Sequence, residues 1–159
     1  MPEPAVTPLA VGEVAPDFVL RDQNGVEVSL SELTAEKNVV LVFYPFAFSG
    51  ICTGELDEIR DHLERFVSDD LQVVCISCDP MFSLRAWADL QAYFFPLVSD
   101  FWPHGAVTRA YGVLNEETGA PVRGTFLLGR DRRVRWTLVN HPGERRDFSG
   151  LPTEVAALR

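Results

Sequence analysis

The chain carries three thiols, Cys52, Cys75 and Cys78, and their sequence settings differ. Cys52 lies in Pro45-Phe46-Ala47-Phe48-Ser49-Gly50-Ile51-Cys52-Thr53-Gly54-Glu55, between an apolar run and a segment whose apolar residues recur at helical spacing. A sulfur at a helix start sits among unbonded N–H groups at the positive end of the dipole, which favours the anion. The thiolate is the nucleophile, and an ordinary thiol is only a few per cent ionised at neutral pH. An arbitrary Cys in an apolar stretch is more often a small buried hydrophobe, so the helix-start position is what singles out Cys52. Ser49, three residues earlier, fits a helix N-cap, or a hydroxyl that serves the thiolate or an incoming oxygen.

Cys75-Ile76-Ser77-Cys78 has the spacing of a dithiol redox motif or of half a zinc site. There is no second pair, and His62, His104 and His141 are not spaced as zinc ligands. A thioredoxin-type dithiol flanks a helix start, whereas Cys75 falls inside a strand pattern, with its side chain directed away from the neighbourhood of Cys78. The favoured reading is a core Cys75 and a strand-end Cys78. Cys78 stays a candidate resolving thiol because the C-terminal ends of parallel strands converge on the sites of such folds.

These residues need elements to position them. Asn24-Gly25 between residues 18–20 and 26–30 marks a tight hairpin turn. Residues 39–43 form a continuous β-branched and aromatic run, the pattern of a strand covered on both faces and hence mid-sheet. Leu56, Ile59, Leu63, Phe66 and Val67 predict an amphipathic helix over 54–67. A second strand over 71–77 leads to a helix opened by Asp79-Pro80, with Pro80 at its first position. A short helix over 106–111, strands over 125–128 and 134–139 joined antiparallel through residues 130–133, and a terminal helix over 153–159 complete the pattern. The expected fold is α/β: a mixed sheet of about five strands with helices on both faces, as in thioredoxin-like folds.

With 159 residues, 47% hydrophobic and 23% charged, the chain suits one domain, read as residues 11–159 behind a Pro-rich arm at 1–10. A net charge of -9 disfavours nucleic acid and anionic membrane surfaces as partners. An odd cysteine count behind Met1-Pro2-Glu3-Pro4, which lacks the features of a secretory signal, points to a reducing cytoplasm. The uncharged run 38–54 would span only ~25 Å as a helix and has Pro45 in its middle, so it reads as a buried strand and a turn. Arg130, Arg132, Arg133 and Arg135 read most simply as a solvated hairpin, and more sharply as a docking site for an acidic redox partner.

The motif Pro45-x-x-x-Ser49-x-x-Cys52 resembles the Pro-x-x-x-Thr/Ser-x-x-Cys active-site motif of peroxiredoxins, with Ser in place of the commoner Thr. Gly12-Glu13-Val14-Ala15-Pro16-Asp17-Phe18, Phe95-Pro96-Leu97-Val98-Ser99-Asp100, Ala110-Tyr111-Gly112-Val113 and Arg123-Gly124-Thr125-Phe126 resemble other family blocks in order and spacing. Within the family, the stretches around Cys52, the run Ser99-Asp100-Phe101-Trp102-Pro103-His104-Gly105 and Pro142-Gly143-Glu144 are most similar to the one-cysteine alkyl hydroperoxide reductase E (AhpE) type of actinobacteria. The excess of Arg over a single Lys37 agrees with such a lineage.

The resemblance implies a thioredoxin-like peroxiredoxin fold and a thiol-specific peroxidase acting on hydrogen peroxide, organic hydroperoxides and peroxynitrite. Cys52 would be the peroxidatic nucleophile, Arg123 the cation holding the thiolate, Ser49 a hydroxyl donor and acceptor, and Pro45 a shield over the pocket. Glu55 would orient Arg123; its plainer reading is a first-turn acid on the helix dipole. Taken alone, Arg123 is a strand-start Arg, solvated or ion-paired. No cysteine follows Cys78, and Asp57 stands where one atypical class carries its resolving Cys, so a one-cysteine cycle is expected. No metal or organic cofactor is required. The implied partners are mycothiol with a mycoredoxin or glutaredoxin-like protein, or thioredoxin, and a second copy of the chain in a homodimer. Phe46, Phe48, Phe101 and Trp102 would then be either core or dimer interface. The rival functions are a dithiol oxidoreductase using Cys75 and Cys78, and a non-enzymatic redox sensor or holdase.

Overall fold

The computed structural model describes residues 6–159; the Met1-Pro2-Glu3-Pro4 lead lies outside them. The hairpin forms as expected, with β1 (Val19–Arg21) antiparallel to β2 (Glu27–Ser29). Its turn uses Gly25 at a φ of 77°. A short helix α1 (Leu30–Thr34) follows at once, capped by the Ser29 hydroxyl, which accepts the Glu32 N–H at 3.3 Å. Next come β3 (Asn38–Phe43), α2 (Gly50–Asp61), β4 (Leu71–Ser77), α3 (Met81–Gln91), β5 (Leu97–Ser99) and α4 (Ala106–Ala110). A two-residue ladder of β6 (Leu114–Asn115) with β7 (Ala120–Pro121) precedes β8 (Arg123–Leu128), β9 (Val134–Asn140) and α5 (Leu151–Ala156).

The main sheet has the order β5-β4-β3-β8-β9. β3 is central and all six of its residues are buried, as its unbroken apolar run predicts. It pairs parallel with β4 and antiparallel with β8, while β8 and β9 form the antiparallel pair expected from their short connection. Alternation divides the core in two. Val40, Val42, Val73, Cys75 and Leu127 face the helices α2, α3 and α5. Val39, Leu41, Phe43, Val74 and Phe126 face the side covered by α1 and α4. Val6 and Leu9 pack on this second side. There Gly112 makes room for the chain, since a Cβ on it would lie 2.0 Å from the Thr7 carbonyl oxygen.

The element ends depart from the sequence pattern in instructive ways. α2 begins at Gly50 and stops at Asp61, with a separate 3-10 turn at Leu63–Arg65, where the periodicity predicted one helix over 54–67. Gly50 and Gly54 are poor helix formers, so the first turn is set by its tertiary surroundings and carries no local signal. Pro80 is the N-cap of α3, so the helix starts one residue later than expected, at Met81, and α5 spans 151–156 where the pattern suggested 153–159. α1 and the β6–β7 ladder are too short to show a period. The uncharged run 38–54 becomes β3, a loop and the start of α2; among the described residues no helix is long and apolar enough to cross a membrane.

Candidate active site

The site is built where the C-terminal end of β3 turns into α2. Tyr44 extends the strand, its N–H donating to the Ile76 carbonyl at 3.0 Å, and Pro45 is buried behind it. The Ala47 N–H donates to the Asp79 carboxylate at 2.8 Å, tying the loop to the start of α3. Phe48 then adopts a φ of 69°, a left-handed conformation that costs a side-chain-bearing residue roughly 1–2 kcal/mol. This bend delivers Ser49 to the N-cap of α2 in an extended conformation.

Ser49 occupies the predicted cap position, yet its hydroxyl makes no cap bond, and its oxygen is buried without a protein partner. The helix ladder begins with the Thr53 N–H on the Ser49 carbonyl at 2.9 Å, so the N–H groups of Gly50, Ile51 and Cys52 precede it. Cys52 is the third residue of the helix and is fully buried. Its environment therefore combines the free N–H groups of a helix start with an unused hydroxyl.

A fixed cation completes the geometry. Arg123, at the first position of β8, points its Nη1 at the Cys52 sulfur at 3.1 Å. The same nitrogen lies 2.6 Å from Glu55 Oε1, and the Arg123 Nε donates to the Pro142 carbonyl at 2.8 Å. Glu55 lies in the second turn of α2, fully buried and directed inward, which corrects the plainer reading of a first-turn acid on the helix dipole. Nor is Arg123 solvated: it is 2% exposed.

The other Glu55 oxygen accepts from Arg146 twice, from the backbone N–H at 2.9 Å and from Nε at 2.8 Å. Arg146 also donates to the Gly124 carbonyl, the Thr125 hydroxyl and the Phe43 carbonyl. It is a buried rivet joining β3, β8 and α2. Sequence reasoning passed over it, because an Arg in a Gly-Glu-Arg-Arg-Asp loop resembles any solvated turn and its partner Glu55 is 91 residues away.

The structure thus brings Cys52, Arg123 and Glu55 together, with Ser49 and Pro45 on the adjoining loop, and leaves the other two thiols apart. All three cysteines are free. Cys75 lies in the core on the α2 side. The Cys78 sulfur is 3.9 Å from the Thr108 hydroxyl of α4, which covers the other face of the sheet. Burial raises both thiols, that of Cys75 far above its ordinary range and, with the Asp100 carboxylate adding to the effect, that of Cys78 to about 12. Both stay protonated at neutral pH and face away from each other, an arrangement unsuited to dithiol exchange. Cys75→Ser and Cys78→Ser are expected to keep peroxide turnover within about twofold of the parent. The check is consumption of hydrogen peroxide with a thiol reductant; a loss in either variant as large as in a Cys52 variant would contradict this assignment.

Two further sequence readings meet plain outcomes. The Arg-rich hairpin is tied down: Arg130 donates to the Ala35 carbonyl, Arg133 to the Gly12 carbonyl and Arg135 to Asp131, and Arg132 lies 3.4 Å from Asp17. Phe46, Phe48, Phe101 and Trp102 are 49%, 53%, 49% and 81% exposed, so the core reading fails for all four.

Comparison with known proteins places this geometry in context. The model of the AhpC/TSA family matches residues 11–137. Alkyl hydroperoxide reductase E of Mycobacterium tuberculosis is 52% identical over 150 residues, covering 94% of this chain and 98% of that protein. The chloroplastic 2-Cys peroxiredoxin BAS1 of Hordeum vulgare is 30% identical, covering 94% of this chain and 75% of that one. Among solved structures, peroxidoxin BcpB of Mycobacterium tuberculosis superimposes with a TM-score of 0.83 at 31% identity, covering 94% of this chain and 97% of that chain.

Proposed function

The chain belongs to the AhpC/TSA family and is a thiol peroxidase of peroxiredoxin fold, and from that premise we propose that Cys52 alone carries the redox chemistry, with an external thiol closing the cycle. The Cys52 thiolate attacks the distal oxygen of a hydroperoxide, the O–O bond breaks, and the leaving alkoxide takes a proton to depart as alcohol or water. Cys52 is left as sulfenic acid. Arg123 holds the anionic sulfur and stabilises the charge that moves onto the departing oxygen, while Ser49 offers its unused hydroxyl to the peroxide. Pro45 walls the pocket and Glu55 fixes the Arg123 fork. The observation that carries this reading is the 3.1 Å approach of a buried guanidinium to a buried helix-start sulfur.

The substrates in this reading are hydrogen peroxide, organic hydroperoxides and peroxynitrite. With Cys75 and Cys78 protonated and directed elsewhere, the sulfenic acid condenses with an outside thiol, mycothiol released by a mycoredoxin or glutaredoxin-like protein, or thioredoxin. In this reading the exposed aromatics Phe46, Phe48, Phe101 and Trp102 supply the apolar face of a homodimer. Three unpaired cysteines suit a cytoplasmic setting.

Peptide-level mass spectrometry of the reduced protein after one equivalent of hydrogen peroxide, with and without dimedone, tests the proposal. A dimedone adduct on Cys52 alone is expected. A disulfide joining Cys52 to Cys75 or Cys78 would refute the one-cysteine cycle, and an unmodified Cys52 would refute the assignment of the nucleophile.

A further inference from the structure

The Ser49 hydroxyl has no protein partner among the described residues, so its position is that of the turn which carries it. The Ser49 N–H returns to the Phe46 carbonyl at 3.4 Å, and Phe48, third in this turn, holds a φ of 69°. That is the position at which a type II turn selects glycine. A phenylalanine there opposes the turn, and burial offsets this only in part. Ala47 packs on the core and the Phe48 ring lies 6.2 Å from that of Trp87, yet Phe46 and Phe48 are both half-exposed. The turn needs a support from outside itself.

Asp79 supplies it. Its Oδ2 accepts the Ala47 N–H at 2.8 Å, from the second residue of the turn. The backbone of Asp79 is itself fixed on both sides: its N–H donates to the Ser77 hydroxyl at 3.3 Å, and its carbonyl accepts from the Ser99 hydroxyl at 2.6 Å. The carboxylate therefore stands on the ends of β4 and β5, the rigid part of the sheet, and the turn hangs from it. Asp79 precedes the N-cap of α3, where an acid ordinarily serves the helix dipole. Here its hydrogen bond crosses to a residue 32 positions back.

We propose that Asp79 is a positioning residue for the peroxidase reaction: its carboxylate, through the Ala47 N–H, sets the turn that delivers the Ser49 hydroxyl to the start of α2. The inference rests on the role of Ser49 toward the peroxide proposed above. Asp79 touches neither the sulfur nor the peroxide in this account. It acts on the rate only by fixing where the Ser49 oxygen stands, so its effect must vanish once that oxygen is removed.

A double-mutant cycle read by the rate of dimedone capture after one equivalent of hydrogen peroxide tests this. Asp79→Ala deletes the acceptor at a half-buried position and should slow capture by about 30-fold, within the roughly 10²-fold that a misplacement of about 1 Å costs. Asp79→Asn keeps a carbonyl oxygen for the Ala47 N–H and should stay within about threefold of the parent. Ser49→Ala should be slow by at least as much as Asp79→Ala, and adding Asp79→Ala to it should change the rate by no more than about twofold. A double variant slowed by the product of the two single losses overturns the proposal, because Asp79 then acts elsewhere. A parent-like rate in Asp79→Ala beside a slow Ser49→Ala also overturns it and leaves the role of Ser49 standing, whereas a parent-like Ser49→Ala removes both. Amide exchange of the reduced proteins judges the tether without peroxide. The Ala47 amide should exchange about tenfold faster in Asp79→Ala and like the parent in Asp79→Asn. Unchanged exchange at Ala47, or a rise spread evenly along the chain, overturns the tether.

Discussion

Cys52→Ser is expected to lower the rate of peroxide reduction by about 10⁴-fold or more, to the level of a thiol reductant and peroxide without protein. The substitution exchanges one atom at a fully buried position, and a serine hydroxyl can still accept from Arg123, so the pocket keeps its shape. What it removes is the sulfur nucleophile, which a serine hydroxyl without an activating base does not replace. Cys75 and Cys78 cannot replace it, being buried, protonated and outside the reach of Arg123. Thermal melting should be nearly unchanged, and that invariance makes the experiment a test of chemistry and not of folding. A Cys52→Ser protein that melts like the parent and still turns over peroxide at a tenth of its rate would end the assignment.

How far this site is legible before the structure depends on whether each contact is local or long-range. Cys52 and Ser49 stand out because a buried strand running into an amphipathic pattern fixes where a helix start must be, and position relative to a helix start is a local property. Even so, the helix opens at Gly50, where two glycines mask the period. Alternation within β4 sends Cys75 into the α2 side of the core, as read. Arg123 was legible as chemistry only through the family resemblance, since its contact with Cys52 spans 71 residues. Arg146 is not legible, and the orienting role of Glu55 is legible only through the family resemblance, for the same reason. Each makes sense only beside the other, 91 positions apart, and no periodicity records that pairing. Tyr93 and Asp57 belong to the same class, a hydroxyl and a carboxylate that look ordinary until the left-handed turn at Ala92 brings them together.

Arg123→Ala should slow formation of the Cys52 sulfenic acid by about 10²–10³-fold, the effect of deleting one preorganised donor from a water-excluded site. Charge balance shows why. Glu55 carries one negative charge and Arg123 and Arg146 two positive ones, all three side chains nearly or fully buried, so the set is neutral only when the neighbouring sulfur is an anion. Removing Arg123 leaves Glu55 and Arg146 to cancel each other, and the sulfur faces a carboxylate whose Oε1 has lost its partner. Stability should fall by about 3 kcal/mol, because half of a buried ion pair has been deleted. Arg123→Ala with Glu55→Gln separates the two effects. The amide oxygen still accepts from Arg146 but no longer cancels its charge, so the double variant should be no more stable than Arg123→Ala. With the carboxylate beside the sulfur gone, the oxidation rate should still stay low. Arg123→Lys should restore only part of the rate, since one ammonium cannot serve the sulfur, Glu55 and the Pro142 carbonyl together as the planar fork does. The rate of dimedone capture after a single equivalent of peroxide reads all three variants. Parent-like capture in Arg123→Ala would make the guanidinium a structural strut, and recovery of rate in the double variant would mean that the charge of Glu55, not the loss of Arg123, had been limiting.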